Sequence, residues 1–339
     1  MSTVAILSPG YPDSPGGVTD HTARLVKSWT GFGATSFVFG DVTEPFASLW
    51  ERIETERTDS LLIQYVPFLY GRRGLSTLPG RLAASCQALG IRVSTFVHEP
   101  WVPPTRLPWL ILSPLQKRQL KRVLALSDAT VTAVPAWAKE LGHSTQTVYV
   151  GSTLGDPTEP INPETLLTSP VVFSPFASGL RWDWIAAAVD SLGAGLVVVG
   201  SDHKTVSEHP IVGRYASDAW DCRGRVSAEN ALNLLARARL VLAPFVDGLT
   251  GRRTSAMASL SCGSQVLTSK GHLSDPAFAE GPAVVTESKE QFSRTARTIW
   301  EAEDTTSDRE QRLSWYHDHC SATKLDDRLL KIVDGRRGD

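Results

Sequence analysis

Short apolar runs alternate with longer stretches whose apolar residues recur at helical spacing along most of the chain. This alternation is typical of βαβ units, in which helices connect the parallel strands of one sheet. In the first half the pattern predicts strands at Thr3–Ser8, Thr35–Gly40, Ser60–Tyr65, Ile91–His98, Ala129–Ala133 and Thr147–Val150. It predicts helices near Val18–Thr30, Leu75–Leu89, Leu115–Leu126 and Pro135–Leu141. We therefore expect an α/β domain here.

The segment Gly151–Ser169 interrupts this rhythm, because it carries Pro157, Pro160 and Pro163 with little apolar periodicity, as linkers do. After it the pattern predicts strands at Val171–Ser174, Leu196–Gly200, Leu240–Pro244, Gln265–Thr268 and Ala283–Thr286. Helices fit Trp182–Leu192, Ala228–Arg237, Ser255–Cys262 and Glu290–Glu301, and the polar stretch from about 307 to 333 is helical in period.

Two such halves predict two Rossmann-like, doubly wound parallel-sheet domains that face each other across a cleft. The expected bounds are 1–160 for an N-terminal, acceptor-binding domain and 161–310 for a C-terminal, nucleotide-sugar-binding domain. A helical segment at 311–339 is expected to cross back to the N-terminal domain.

Composition narrows the possible partners. The 339 residues include 34 Lys plus Arg and 36 Asp plus Glu, a net charge of −2, so no overall field attracts nucleic acid and no nucleic-acid partner is predicted. The four cysteines are widely spaced, which indicates reduced thiols and a cytoplasmic protein. Met1–Ser8 lacks the features of a signal peptide, and no apolar run is long enough to span a membrane.

Candidate binding residues were sought at strand ends, because ligands of open α/β sheets bind beyond the carboxyl ends of the strands. Gly16 and Gly17 directly precede the first helix, where free amides and a partial positive charge meet. A plain strand-to-helix turn fits this spacing equally well. The Gly-x-Gly-x-x-Gly fingerprint of nicotinamide and flavin proteins is absent.

Polar residues also follow the third and fourth predicted strands. Gln64 and Tyr65 end the third strand, and His98, Glu99 and Trp101 follow the fourth. A histidine at this place can donate a hydrogen bond or move a proton near neutral pH. A solvated strand end and a hydrogen-bonded turn are the alternatives for these two groups.

The strongest candidate is the segment Ala243–Ser255. A strand ends at Pro244, a glycine-containing loop follows, and a helix starts near the adjacent Arg252 and Arg253. Loop amides, hydroxyls and two fixed positive charges are the groups that hold a diphosphate. Arginines on protein surfaces are usually only solvated, but this pair at a glycine loop favours anion binding.

These residues resemble a known family. Gly16, Gly17, Val18 and His21 match a Gly-Gly-Val-x-x-His element, and His98 matches a histidine that lies beside the donor sugar. The stretch Leu240–Gly271 is similar to the segment of that family that binds the nucleotide diphosphate. It is most like a subset of the family whose loop reads Asp-Gly-x-Ser/Thr-x-Arg-Arg. Over nearly its whole length the chain resembles the retaining GT-B glycosyltransferases of the large family-four group.

The resemblance implies transfer of a sugar from a nucleotide-diphosphate donor to an acceptor hydroxyl, with retention, without a metal and without a further cofactor. The chain lacks an Asp-x-Asp motif, and His317-Asp318-His319 was interpreted as surface, because adjacent helix residues point in different directions. The implied catalytic residues are His98, Arg252 and Arg253. The implied donor-binding residues are Gly16, Gly17, Asp247, Gly248, Thr250, Gly251, Thr254, Ser255 and Arg181. The implied acceptor-binding residues are His21, Gln64, Tyr65, Glu99 and Trp101.

The chain departs from the family at two places. The usual two glutamates eight positions apart are missing: Ala258 occupies the second position, and Thr250 or Asp247 the first. The usual Arg and Lys after the first strand of the second domain are missing too, where Arg181 is the only base. Either Arg252 and Arg253 take over part of the diphosphate clamp, or the chain is an inactive relative. A nucleotide-sugar epimerase and a non-catalytic nucleotide-sugar-binding protein are the alternatives.

The acceptor is left open as a saccharide, a small molecule or a lipid-linked glycan. Pro103–Leu112 is apolar and aromatic, and the bases Lys117, Arg118, Lys121 and Arg122 follow it. An apolar edge beside a basic face predicts peripheral contact with the inner face of a membrane that carries anionic lipid. A buried helix with a solvated basic side is the alternative, and sequence alone favours it.

Overall fold

A computed structural model describes residues 2–14, 16–157, 166–174 and 179–335. The chain forms two compact units, one of Met1–Tyr149 with Thr323–Asp339 and one of Val150–Ala322. The predicted domain boundary at 160/161 and the linker prolines Pro160 and Pro163 lie outside the described residues. Each unit has a six-stranded, fully parallel sheet with flanking helices, which confirms the predicted α/β class.

The sheet of the first unit has the order β2-β1-β3-β4-β5-β6. Its strands are β1 Thr3–Leu7, β2 Thr35–Phe39, β3 Ser60–Tyr65, β4 Arg92–Val97, β5 Ala129–Thr132 and β6 Thr145–Thr147. The strand predicted at Thr147–Val150 therefore lies two residues earlier. Its register pairs Thr130 with Thr145, and this short polar edge strand has no apolar run that would mark it in the sequence.

Each of the five connections between successive strands of the first unit contains one α-helix. These helices are α1 Gly17–Gly31, α2 Phe46–Thr55, α3 Leu78–Ala88, α4 Leu107–Leu124 and α5 Pro135–Leu141. The sequence analysis missed α2, whose buried stripe consists only of Leu49 and Ile53. It also started α4 eight residues late, at Leu115, directly after Pro114. Pro108 is harmless in the first turn, where N–H groups have no helical acceptor, whereas Pro114 removes one hydrogen bond inside the helix.

The sheet of the second unit has the order β12-β11-β10-β7-β8-β9. Its strands are β7 Val171–Phe173, β8 Leu196–Val199, β9 Trp220–Cys222, β10 Leu240–Ala243, β11 Gln265–Ser269 and β12 Ala283–Thr286. Five of the six were predicted. The sixth, β9, is a three-residue edge strand that pairs only with β8, so it contributes little apolar pattern.

Among the described residues, seven α-helices accompany this sheet, and five of them start at side-chain caps. They are α6 Trp182–Leu192, α7 His203–Glu208, α8 Ala228–Ala236, α9 Thr254–Ser261, α10 Pro276–Ala279, α11 Lys289–Glu301 and α12 Thr306–His319. Ser227 and Ser288 accept backbone hydrogen bonds at the starts of α8 and α11, and Thr305 with Asp308 forms a capping box on α12. Such caps explain why the predicted starts of α8 and α11 were accurate to one residue.

The last helix, α13 (Ala322–Asp334), returns the chain to the first unit, as expected. Its Asp326 is buried and accepts hydrogen bonds from Arg24 Nε at 3.0 Å, Arg24 Nη2 at 2.7 Å and Ser28 Oγ at 2.8 Å. The backbone carbonyl of Asp326 accepts a further bond from Trp29 Nε1 at 3.0 Å. This buried, charge-assisted network joins α13 to α1.

The inner face of α1 also buries His21, which lies edge-on to the rings of Phe96 and His98. Burial lowers the pKa of His21 well below its usual value, and the nearby Arg24 and His98 lower it further. His21 is therefore neutral at neutral pH.

Among the described helices, none is long and apolar enough to cross a membrane. The cysteines Cys86, Cys222, Cys262 and Cys320 are all free thiols.

The Asp326 network gives a direct stability prediction. Asp326→Ala leaves the buried Arg24 guanidinium without its counter-charge, and we expect a loss of about 3–5 kcal/mol in the free energy of unfolding. The control is Asp327→Ala at the next position, where an exposed pair with Lys331 is worth about 0.5 kcal/mol at most. Urea unfolding of both variants measures the difference, and equal losses would contradict the assignment.

The neutral His21 predicts a pH dependence of stability. The unfolded chain takes up a proton near the usual pKa of 6.5, whereas the folded chain does not until the pH is much lower. Stability is therefore fully present above pH 6.5 and falls as the pH drops below it, by about 1.4 kcal/mol per pH unit. From about pH 6 to about pH 5, wild type should lose this much more stability than His21→Phe, measured by urea unfolding. Parallel curves for the two proteins would refute the neutral state.

Candidate functional site

In each sheet the chain adds strands first on one side of its first strand and then on the other, so the direction of strand addition reverses at one place. In the first unit the reversal lies between β1 and β3, and in the second it lies between β7 and β10. At such a point the loops leave neighbouring strands in opposite directions and open a crevice beyond the carboxyl ends. Some of the predicted site residues lie at carboxyl strand ends beside these places, Arg181, Arg252 and Arg253 in the second unit and Gln64 in the first.

In the second unit the chain after β10 is tied to the chain after β7. Leu180 and Phe245 form an antiparallel bridge, in which Arg181 N donates to Pro244 O at 2.9 Å. Val246 N donates to Gly179 O at 3.0 Å. These bonds place Arg181 beside the loop that follows β10. Residues 175–178, which lead to this bridge, are outside the described residues.

The Asp247–Gly248 turn is fixed by close backbone packing. Gly248 has φ +94°, and a Cβ there would overlap Ser274 Oγ. A Cβ on Gly271 would likewise overlap the carbonyl of Asp247. Leu273 N donates to Asp247 O at 2.9 Å. Glycine is therefore required at 248 by both its backbone conformation and the close approach.

Asp247 holds the two adjacent arginines. Its Oδ2 accepts from Arg252 Nη2 and its Oδ1 from Arg253 Nη2, and all three side chains are mostly buried. Burial by itself would raise the pKa of Asp247, but the charges of Arg253 and Arg252 outweigh it and lower the pKa below its usual value. Asp247 therefore stays ionised at neutral pH and cancels one of the two positive charges.

Aromatic rings support the guanidinium groups. Arg253 lies 4.7 Å from the centre of the Phe245 ring, and Arg181 lies 5.0 Å from that of Trp184. Arg181 Nη2 also donates to Val246 O at 3.2 Å. The sequence analysis missed Phe245 and Trp184. Phe245 could have been recognised as an aromatic residue just beyond the predicted strand end at Pro244.

Nε of Arg181 and Oγ1 of Thr250 are buried near this loop and have no hydrogen-bond partner among the described residues. Three guanidiniums (Arg181, Arg252 and Arg253) and one carboxylate leave this place with a net positive charge. Unsatisfied buried donors and excess positive charge together favour an anionic ligand.

Helix α9 begins directly at this charge cluster. Arg253 is its N-cap residue and makes no side-chain cap, and Met257 N is bonded to Arg253 O. Thr254 and Ser255 therefore lie in the first turn, whose amides have no acceptor within the helix. Gly251 O accepts from Val150 N at 2.9 Å. Ala258, at the position of the family's second glutamate, is fully buried.

In the first unit the predicted histidine lies at the carboxyl ends of β3 and β4. His98 Nε2 is 2.6 Å from Gln64 Oε1, and its ring stacks on Phe96 with centroids 4.5 Å apart. His21 lies edge-on to His98 at 5.4 Å. Gln64 Nε2 and His21 Nδ1 are buried without a hydrogen-bond partner among the described residues. The structure thus brings three of the predicted residues into one polar cluster.

The remaining predicted residues of this unit are placed differently. Tyr65, predicted to contact an acceptor, is a core residue: its side chain is fully buried and its hydroxyl accepts from Gln119 Nε2 at 3.0 Å. Trp101 is half-buried against the core with Lys117 Nζ 4.3 Å from its ring, and Glu99 is exposed. Gly16 is the N-cap of α1, and a Cβ on Gly16 or Gly17 would meet no atom within 4 Å.

No protein-family model matches the chain, and no curated protein matches its sequence. Solved structures do. AviGT4, a glycosyltransferase involved in avilamycin A biosynthesis, matches with a TM-score of 0.60 and 15% identity over 98% of this chain and 97% of that chain. An α-glucosyltransferase, in complex with UDP and a 13-mer DNA, matches with a TM-score of 0.67 and 9% identity over 98% and 99%.

A third structure comes from Listeria monocytogenes and is assigned as a UDP-N-acetylglucosamine 2-epimerase, with a TM-score of 0.60 and 11% identity over 98% and 96% of the two chains. Matches at this level of identity establish the architecture alone. Two parallel-sheet units and these full-length matches show that the chain has the GT-B fold.

Proposed function

We propose that the chain is a glycosyltransferase that takes a sugar from a nucleotide-diphosphate donor. The observation that carries this proposal lies at the strand reversal of the second unit: Arg252 and Arg253 share the Asp247 carboxylate, and Arg181 binds the carbonyl of the adjacent Val246. A diphosphate fits this excess of positive charge. The fold adds support, because structures of the same fold include glycosyltransferases, one of them in complex with UDP.

The chemistry of transfer explains why arginines are useful there. When the bond between the anomeric carbon and the diphosphate oxygen breaks, the leaving nucleoside diphosphate gains one negative charge. Fixed guanidiniums and the first-turn amides of α9 then interact more strongly with the leaving group than with the intact donor, which lowers the barrier. Asp247 holds Arg252 and Arg253 in place beforehand, so little reorganisation is needed.

His98 is proposed to position the donor sugar. Its ring is held in one orientation by stacking on Phe96 and by the bond to Gln64. A reaction with retention by front-face attack needs no covalent nucleophile from the protein. We propose this course, without a metal, as the resemblance implies. The product anomer, read by NMR, and activity in the presence of a chelator test these two points.

A nucleotide-sugar epimerase is the second candidate, because one structure of the same fold is assigned to that class. Acid–base chemistry on the sugar would need carboxyl groups that are enclosed by the site and not engaged in ion pairs. Of the two acids expected for it, Asp247 is engaged by two arginines and Glu99 is exposed. Transfer therefore fits better. Incubation of a donor without any acceptor separates the classes, because only an epimerase changes the sugar under that condition.

Net charge bears on the class of acceptor. The α-glucosyltransferase of the same fold is in complex with DNA, so this fold accommodates such a partner. The net charge of −2 argues against a nucleic-acid acceptor for this chain.

The arginine cluster gives a binding prediction. Arg252→Ala and Arg253→Ala should each weaken binding of nucleoside diphosphates by roughly 10- to 100-fold, because each loses charge-assisted hydrogen bonds. The activation free energy of turnover should rise by about 2–4 kcal/mol, so turnover slows. Calorimetric titration with UDP, GDP and ADP measures the binding.

The matched control is Arg223→Ala, which removes an exposed arginine that is also paired with an aspartate, Asp221. It should leave nucleotide binding unchanged. Wild-type affinity in all three variants would refute the diphosphate site. Intact binding by wild type without turnover of any donor would favour a non-catalytic protein.

The role of His98 gives a different prediction. His98→Ala should lower the transfer rate about 100-fold through misplacement of the sugar while nucleoside-diphosphate affinity stays unchanged. Gln64→Ala should give a smaller loss, because it frees the His98 ring without removing it. The control is the exposed His143→Ala, with wild-type kcat and KM expected. Equal rates for His98→Ala and His143→Ala would exclude His98 from the reaction.

A further inference from the structure

Helix α4 has an inverted distribution of polar and apolar residues in its first half. Its buried face contains Ser113 and Gln116, whereas its outward face exposes four large aliphatic side chains. Their exposed fractions are 81% for Leu107, 52% for Leu110, 71% for Ile111 and 45% for Leu115. Helices of globular proteins place such residues inward. A contiguous apolar surface of this kind indicates an interaction site.

Hydrogen bonds from glutamines hold α4 in this orientation. Gln116 Oε1 accepts from Val102 N at 2.9 Å, and its Nε2 donates to Arg73 O at 3.2 Å. Gln119 Oε1 accepts from Ser76 N at 2.7 Å, and its Nε2 donates to the Tyr65 hydroxyl at 3.0 Å. Rotating α4 to bury its leucines would break these bonds. These bonds therefore keep the apolar face outward. The alternative from sequence, a buried helix with a solvated basic side, fits the buried Leu120 and Val123 and the exposed bases but not the exposed aliphatic side chains of the first turns.

The same face becomes basic one turn further on. Arg118, Lys121 and Arg122 are exposed and form no ion pair with any described residue, and Lys117 completes a shallow hollow with them. The chain has no Asp or Glu between Glu99 and Asp128, although its net charge is −2. Lys117 pairs with Glu140 at 3.4 Å on the neighbouring α5. The local charge is thus strongly positive.

We propose that α4 docks unit one onto the surface of an anionic phospholipid bilayer. The first turns, Leu107–Leu115, span about 12 Å and would enter the boundary between headgroups and acyl chains, which such helices penetrate by about 5–10 Å. Arg118, Lys121 and Arg122 would then meet the lipid phosphates. Arg106 and Trp109, stacked at 4.9 Å, lie at the start of the same helix, where an indole suits the interface.

A bilayer fits this surface better than a protein or a nucleic acid does. The four aliphatic side chains project outward from the helix, and a fluid surface covers them without a need for shape complementarity. The phosphates of a nucleic acid would pair with the basic side chains, but the four aliphatic side chains would stay in water. An anionic bilayer satisfies both halves of the face.

The experiment is vesicle sedimentation with the full chain, without sugar donor, so that it is independent of the proposed enzymatic activity. Neutral phosphatidylcholine vesicles are compared with vesicles that also contain phosphatidylglycerol. We expect binding only to the anionic vesicles. The triple variant Arg118→Gln, Lys121→Gln, Arg122→Gln should lower the partition coefficient about 100-fold. The double variant Leu107→Ser, Ile111→Ser should lower it at least about 10-fold.

A matched control removes the same charge elsewhere: Lys27→Gln, Arg214→Gln, Arg225→Gln, all exposed positions, should bind like wild type. All variants should melt within about 2 °C of wild type, since the changed side chains are exposed.

Four results would overturn the proposal. The first is no binding of wild type to anionic vesicles at low salt, and the second is an equal loss of binding in the control variant. The third is binding to a DNA duplex in place of vesicles. The fourth is a wild-type dimer that binds no vesicles and that the Leu107→Ser, Ile111→Ser variant dissociates.

Discussion

Parallel strand pairing is the constraint on which the candidate site depends. In a parallel sheet every strand delivers its loop to the same edge, so residues far apart in sequence meet there. In the second unit this edge joins Arg181, which follows β7, to Arg252 and Arg253, which follow β10. The antiparallel bridge between Leu180 and Phe245 closes the remaining gap. The charge cluster is thus a product of strand order.

Electrostatics then decides what this edge can hold. Three guanidiniums without a counter-ion would repel each other, and Asp247 removes part of that repulsion. The arginines keep their position in the unliganded protein, and the net charge remains positive. Ala258, in the helix that follows, is buried in the core. The chain therefore offers guanidiniums and amides to a ligand at this edge.

Most of the fold was predictable because parallel strands are buried on both faces and leave continuous apolar runs, as at Leu61–Ile63 and Leu240–Leu242. The short edge strands β6 and β9 left no such signal. In α4 the prolines masked the start, and its direction depends on bonds from Gln116 to residues distant in sequence. The position of Arg252 and Arg253 beyond a strand end was predictable from spacing. Their pairing with Asp247 and the inward direction of Tyr65 were not, since both depend on side-chain placement in three dimensions.

The return of α13 to the first unit has a consequence for synthesis on the ribosome. The first unit consists of two separate stretches of chain, and the second unit, about 170 residues long, is translated between them. Asp326 follows Arg24 and Trp29 by about 300 residues, so at roughly 5–20 residues per second it is synthesised about 15–60 s after them. The second unit is continuous and can complete its core first. The nascent first unit therefore exposes the α13-binding face of α1 during that interval, and it is the stage at which a chaperone would be needed.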